Sequence, residues 1–80
     1  MLLKEIKSIF NEILELCYNE PFPQLHKELL TIEYQIKEKG NLNNYKAKME
    51  ELLTIIPLYA EEFSPEVYSE VEQMVYSCFE

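Results

Sequence analysis

Residues 64–79 read Ser64-Pro65-Glu66-Val67-Tyr68-Ser69-Glu70-Val71-Glu72-Gln73-Met74-Val75-Tyr76-Ser77-Cys78-Phe79, and this stretch settles the fold class. Its first three residues spell a helix start. A hydroxyl can cap, a proline at the first position forfeits no hydrogen bond, and a carboxylate faces the positive end of the helix dipole. At about 100° per residue, Val67, Tyr68, Val71, Met74, Val75, Cys78 and Phe79 gather in one apolar arc, while Glu66, Glu70, Gln73 and Ser77 fall opposite it. Glu72 and Tyr76 lie on one border. A helix with a single apolar arc needs partners to cover it, so the rest of the chain is expected to supply them.

It does so in three further segments. Residues 2–18 place Leu2, Ile6, Ile9, Ile13 and Leu16 at helical spacing, with Leu3, Phe10, Leu14 and Cys17 beside them and Lys4, Glu5, Lys7, Glu12 and Glu15 on the other side. Asn19-Glu20-Pro21-Phe22-Pro23 stops that helix, because proline lacks the N–H and restrains the residue before it. Pro23 suits the first turn of a second helix over about 23–39, carrying Leu25, Leu29, Ile32 and Ile36 on one stripe and leaving Leu30 and Tyr34 off it. Glu33 and Lys37 form an acid-before-base pair four residues apart, Lys37 and Lys39 suit the last turn, and Gly40 is placed to close the helix in a left-handed conformation.

A third helix is expected over 44–63, with an asparagine of 41–44 as its cap. Tyr45, Met49, Leu52, Ile56, Tyr59 and Phe63 keep an unbroken 4-3-4-3-4 rhythm across Pro57. A fresh start at proline would reset that phase, so the spacing predicts one helix kinked near Pro57 rather than two. With the last helix at 65–79, the fold class is all-α: a compact bundle of four helices. Eighty residues fit a single domain with room for one core.

Charge is distributed unevenly. The fifteen acidic residues are all glutamate, the seven basic residues are all lysine, and the formal net charge is −8. Residues 61–80 hold six of those glutamates and no lysine, so nearly all of the excess sits at one end of the chain. A protein that binds nucleic acid through phosphates needs a basic stripe, and this chain would be repelled. The opening residues 1–7 are interrupted by charge and lack the apolar core of a signal peptide, and no run approaches a membrane span. The chain is therefore expected in the cytoplasm. Cys17 and Cys78 lie on apolar arcs, and their wide spacing is neither a redox pair nor a disulfide framework.

The sequence offers no site for metal, cofactor or catalysis. His26 is the only histidine, no cysteine or second histidine stands near it, and its position is that of an ordinary first-turn residue. The glutamates fall opposite or beside the apolar stripes, on solvated faces, which argues against an enzyme built on paired carboxylates. Without Asp, and with no glycine in the acidic stretch, a calcium loop is not spelled either. Partner binding is a better use of the charge. Glu62, Glu66 and Glu70 are four apart, with Glu61 and Glu72 alongside and Tyr68 and Tyr76 at the rim; like charges so spaced disfavour a helix by a few tenths of a kcal/mol per pair. These seven residues are the candidate partner-binding set. The corresponding function is a small non-enzymatic binding protein that neutralises a basic partner, as an immunity protein or antitoxin covers the cationic cleft of a nuclease-type toxin. The alternative is a helical adaptor that forms a homodimer or binds a partner helix through surplus apolar residues, with Leu3, Leu30, Leu53, Ile55 and Leu58 as candidates.

Overall fold

The computed structural model describes residues 2–36 and 40–79. Four α-helices account for most of them: α1 (Leu3–Tyr18), α2 (Pro23–Ile36), α3 (Leu42–Ile55) and α4 (Pro65–Ser77). The radius of gyration is 11.8 Å, which matches the roughly 12 Å of a compact chain of this length. The expected pairing of Glu33 with Lys37 and the cationic last turn of α2 fall on residues 37–39, outside the described residues.

The apolar stripes meet in one core. Ile6, Phe10, Ile13, Leu14 and Cys17 of α1 are buried against Leu25, Leu29, Ile32 and Ile36 of α2, Tyr45, Met49 and Leu52 of α3, and Val71 and Val75 of α4. No polar or charged residue among those described is buried, so specificity rests on the fit of side chains. α1 packs on each of the other three helices, and α3 packs on α2 and α4 as well. The order around the bundle is thus α1, α2, α3, α4, with α1 and α3 touching across the middle, where Phe10 meets Tyr45 edge-on at 5.5 Å. Leu2 and Phe79, expected on the apolar stripes, are 68% and 40% exposed. Leu2 is the N-cap of α1 and Phe79 follows the C-cap of α4, so each stands just outside its helix.

Four local expectations need correction. α3 begins two residues before Asn44, because Asn41 is the cap: its Oδ1 accepts from the Asn44 N–H at 2.8 Å. The α-helical ladder of α3 ends at Ile55 and tightens into a 3₁₀ turn over Ile56–Tyr59, so the helix is not a continuous kinked rod to residue 63. The reason is Pro57, which has no N–H for the Leu53 carbonyl. Ile55, Ile56 and Ala60 nonetheless keep right-handed helical dihedrals. The chain goes on coiling, so Ile56 and Phe63 still point into the core.

Gly40 is the third. It does not adopt a positive φ, so it is needed for space and not for handedness: a Cβ there would stand 2.6 Å from Tyr45 Cε2 and 2.7 Å from the Ile36 carbonyl oxygen. At the other expected cap, Ser64 occupies the N-cap position of α4 but its hydroxyl makes no capping bond. Its carbonyl accepts from the Tyr68 N–H at 2.9 Å. The abrupt turn between the 3₁₀ segment and α4 is held instead by aromatic packing. Phe22 stacks on Tyr59 at 6.2 Å and meets Phe63 at 5.0 Å, and Phe63 in turn meets Tyr68 at 5.9 Å.

Candidate functional site

The seven residues singled out by sequence are divided among three places. Glu66 and Glu70 are exposed and one turn apart on α4. Glu61 and Glu62 sit in the turn before it, exposed, with the Glu62 N–H bonded to the Tyr59 carbonyl at 3.0 Å. Because α4 starts afresh at Pro65, Glu62 does not stack on Glu66 as the four-residue spacing implied. Glu72 lies about 120° around α4 from Glu66, on the flank that carries Tyr68 and Tyr76. There Tyr68 is half-buried, and its phenol is pushed up first by burial and then by its hydrogen bond to Glu72 and the charge of that carboxylate. Tyr76 is 54% exposed.

The acidic surface is completed from another helix. Glu70 lines a shallow groove of about 360 Å³ together with Glu12, Glu15, Leu16 and Asn19 of the α1 end. Carboxylates from α1 and α4 thus share one seam, and no lysine lines it. Buried Ile13 and Cys17 of α1 and Val71 of α4 anchor the two helices beneath it, so the carboxylates project from a fixed backbone. Sequence reasoning treated Glu12 and Glu15 as ordinary solvated positions. One signal was available: the lysines of α1, Lys4 and Lys7, both precede Ile9, so the second half of that helix carries only negative charge. Which helix it faces is not written in that pattern.

Groups with possible chemistry are engaged in structure. His26 Nε2 lies 2.7 Å from the Glu20 carbonyl and 3.2 Å from the Cys17 carbonyl. Both partners are acceptors, so Nε2 carries a proton and donates. The ring also meets Tyr18 edge-on at 5.4 Å. The imidazole clamps the end of α1 to the first turn of α2, a larger role than an ordinary first-turn residue has. Tyr18 donates to Glu33 at 3.2 Å, and its phenol is pushed up to about 12 by burial first and by Glu33 second. Cys17 is pushed up to about 12 by burial, helped by the Glu20 charge. A thiol so raised is no nucleophile near neutral pH.

Cys78 is raised by burial in the same sense, and its Sγ is set against the Met74 carbonyl at 3.4 Å. Both cysteines are free and buried. Among the described residues no three His, Cys, Asp or Glu side chains come together as a metal ion requires, and no helix is long and apolar enough to cross a membrane. Of the surplus apolar residues, Leu3, Leu30 and Leu58 are exposed, and Leu53 and Ile55 are half-buried. Comparison of the chain with protein families, with characterised proteins and with solved structures finds no match.

Proposed function

We propose that this chain is a small non-enzymatic binding protein that neutralises a basic protein, and that its partner is a nuclease-type toxin whose cationic cleft it covers as an immunity protein or antitoxin. The observation that supports this reading is the acidic seam, where Glu12, Glu15 and Glu70 from two helices line one groove without a lysine. Gathering like charges is unfavourable for the isolated protein, and an arginine- or lysine-rich surface relieves the repulsion on binding. Leu16 on the groove wall offers apolar contact between the carboxylates. Glu66 extends the charged surface along α4, and Glu61 and Glu62 flank its start. A net charge of −8 would also steer a cationic partner, with on-rates that fall as salt rises.

The test is titration of a basic nuclease toxin encoded beside this chain, read both as calorimetric binding and as loss of nuclease activity. Stoichiometric inhibition that weakens with ionic strength is expected, together with at least a tenfold loss of affinity for Glu12→Lys/Glu70→Lys, about 1.4 kcal/mol. Wild-type inhibition by that double variant would overturn the reading.

A further inference from the structure

The side of the bundle opposite the acidic seam holds a groove that the proposed function leaves unused. α2 runs antiparallel to α3 and the 3₁₀ turn that follows it, joined at two levels: Lys48 Nζ of α3 donates to Gln35 Oε1 at 2.7 Å, and the Tyr59 hydroxyl of the 3₁₀ turn donates to the Glu28 carboxylate at 3.2 Å. Between these bridges the helices part over Ile32 and Ile55, leaving an open concavity of about 340 Å³ with Glu28 on one wall and Glu51 on the other. Beyond the Gln35–Lys48 bridge, a second concavity of about 420 Å³ opens over Ile36 and Ala47. Ile32 and Ile36 are one turn apart, so the two apolar floors repeat at about 6 Å along α2. That is the interval between residues i and i+4 of a third helix laid along the seam.

We infer that the α2–α3 seam is a docking groove for a basic amphipathic helix, one that presents apolar side chains at i and i+4 flanked by Lys or Arg. Charge decides the sign of the partner. Among the described residues of the two linings, exposed Glu28 and Glu51 stand against Lys48, which pairs with Glu51 at 3.2 Å and leaves the carboxylate of Glu28 as the net charge, and the chain as a whole, at −8, repels acidic ligands. The floor is equally prepared. Thr31 and Thr54, at the mouth of the first concavity, turn their hydroxyls to the carbonyls of Lys27 and Glu50 on their own helices at 3.1 Å each. An apolar side chain entering there therefore strands no hydroxyl donor. Helix-in-groove recognition of this kind is read through i and i+4 anchors.

The groove does not depend on the acidic seam, so either reading can fail alone. Isotope-labelled protein is titrated at near-physiological salt with a synthetic Leu/Lys amphipathic helix of about five turns, and separately with its Leu/Glu counterpart. Saturable amide shifts along α2 and α3 are expected for the lysine peptide and none for the glutamate peptide. Thr31→Arg/Thr54→Arg, at exposed positions that leave the core intact, should lower affinity at least tenfold, and so should Ala47→Arg, which fills the second concavity. Glu12→Lys/Glu70→Lys should bind this peptide as wild type does. Shifts centred on α1 and α4, equal binding of both peptides, or undiminished binding by both groove variants with helicity retained would overturn the inference.

Discussion

Replacing His26 tests whether the only histidine is structural. In His26→Ala, the donor to the Cys17 and Glu20 carbonyls and the ring against Tyr18 are both lost. Neither carbonyl is orphaned, because Cys17 O still accepts from the Glu20 N–H at 3.1 Å and Glu20 O from the Phe22 N–H at 2.9 Å. The hydrogen-bond loss is therefore the net value of about 0.5–1.5 kcal/mol and not the larger penalty of an unsatisfied buried group. Loss of the edge-on ring contact adds about 0.5–1.5 kcal/mol. The sum, about 1–3 kcal/mol, corresponds to a fall in Tm of several to about 20 °C for a domain of this size. Thermal and urea denaturation followed by circular dichroism measure it. His26→Gln, which keeps an N–H donor, and His26→Phe, which keeps the ring, should each recover part of the loss. A His26→Ala variant as stable as wild type would refute the clamp, and one that kept full stability but lost partner binding would move His26 into the functional site.

Other expectations follow from the same contacts. Cys17 and Tyr18 both have folded-state pKa values raised to about 12, from ordinary values of 9.0 and 10.0. Their contribution to stability is complete below about pH 9 and is lost as pH rises toward 12. The buried Cys17 thiol alone accounts for about 1.4 kcal/mol per pH unit in that window. Alkaline unfolding monitored by circular dichroism should shift upward in Cys17→Ala once its cavity cost at neutral pH is subtracted; an unchanged midpoint would contradict the assignment. Gly40→Ala, commonly stabilising in a loop at negative φ, should here lower stability by about 1–3 kcal/mol in urea titration, since the new methyl meets the Ile36 carbonyl and a Tyr45 ring already held against Phe10. Met49→Ala, at a fully buried position, should cost about 2–5 kcal/mol in the same assay. Glu70→Lys should raise Tm slightly at low salt and weaken partner binding, because it relieves repulsion from Glu12 and Glu15.

The sequence by itself determined the all-α class, the four helical segments and nearly every core position. These follow from local physics: the spacing of apolar residues repeats with the helical turn, and Pro21, Pro57 and Pro65 disrupt or open helices wherever they fall. Even the phase across Pro57 was legible, since Ile56 and Phe63 stay buried on the same rhythm. The limits were local too. Spacing could not distinguish a kinked α-helix from a 3₁₀ turn, or tell that Gly40 answers to crowding by Tyr45 and Ile36 instead of to handedness.

Only the tertiary structure decided which surfaces adjoin. It separated Glu62 from Glu66 and set Glu72 beside Tyr68. It brought Glu12 and Glu15, more than fifty residues away in sequence, to the same seam as Glu70. It also opened the groove over Ile32 and Ile55 on the other side. Helical periodicity fixes the direction of a side chain relative to its own axis and says nothing of the neighbouring axis, which is chosen by how four apolar stripes close over a single core.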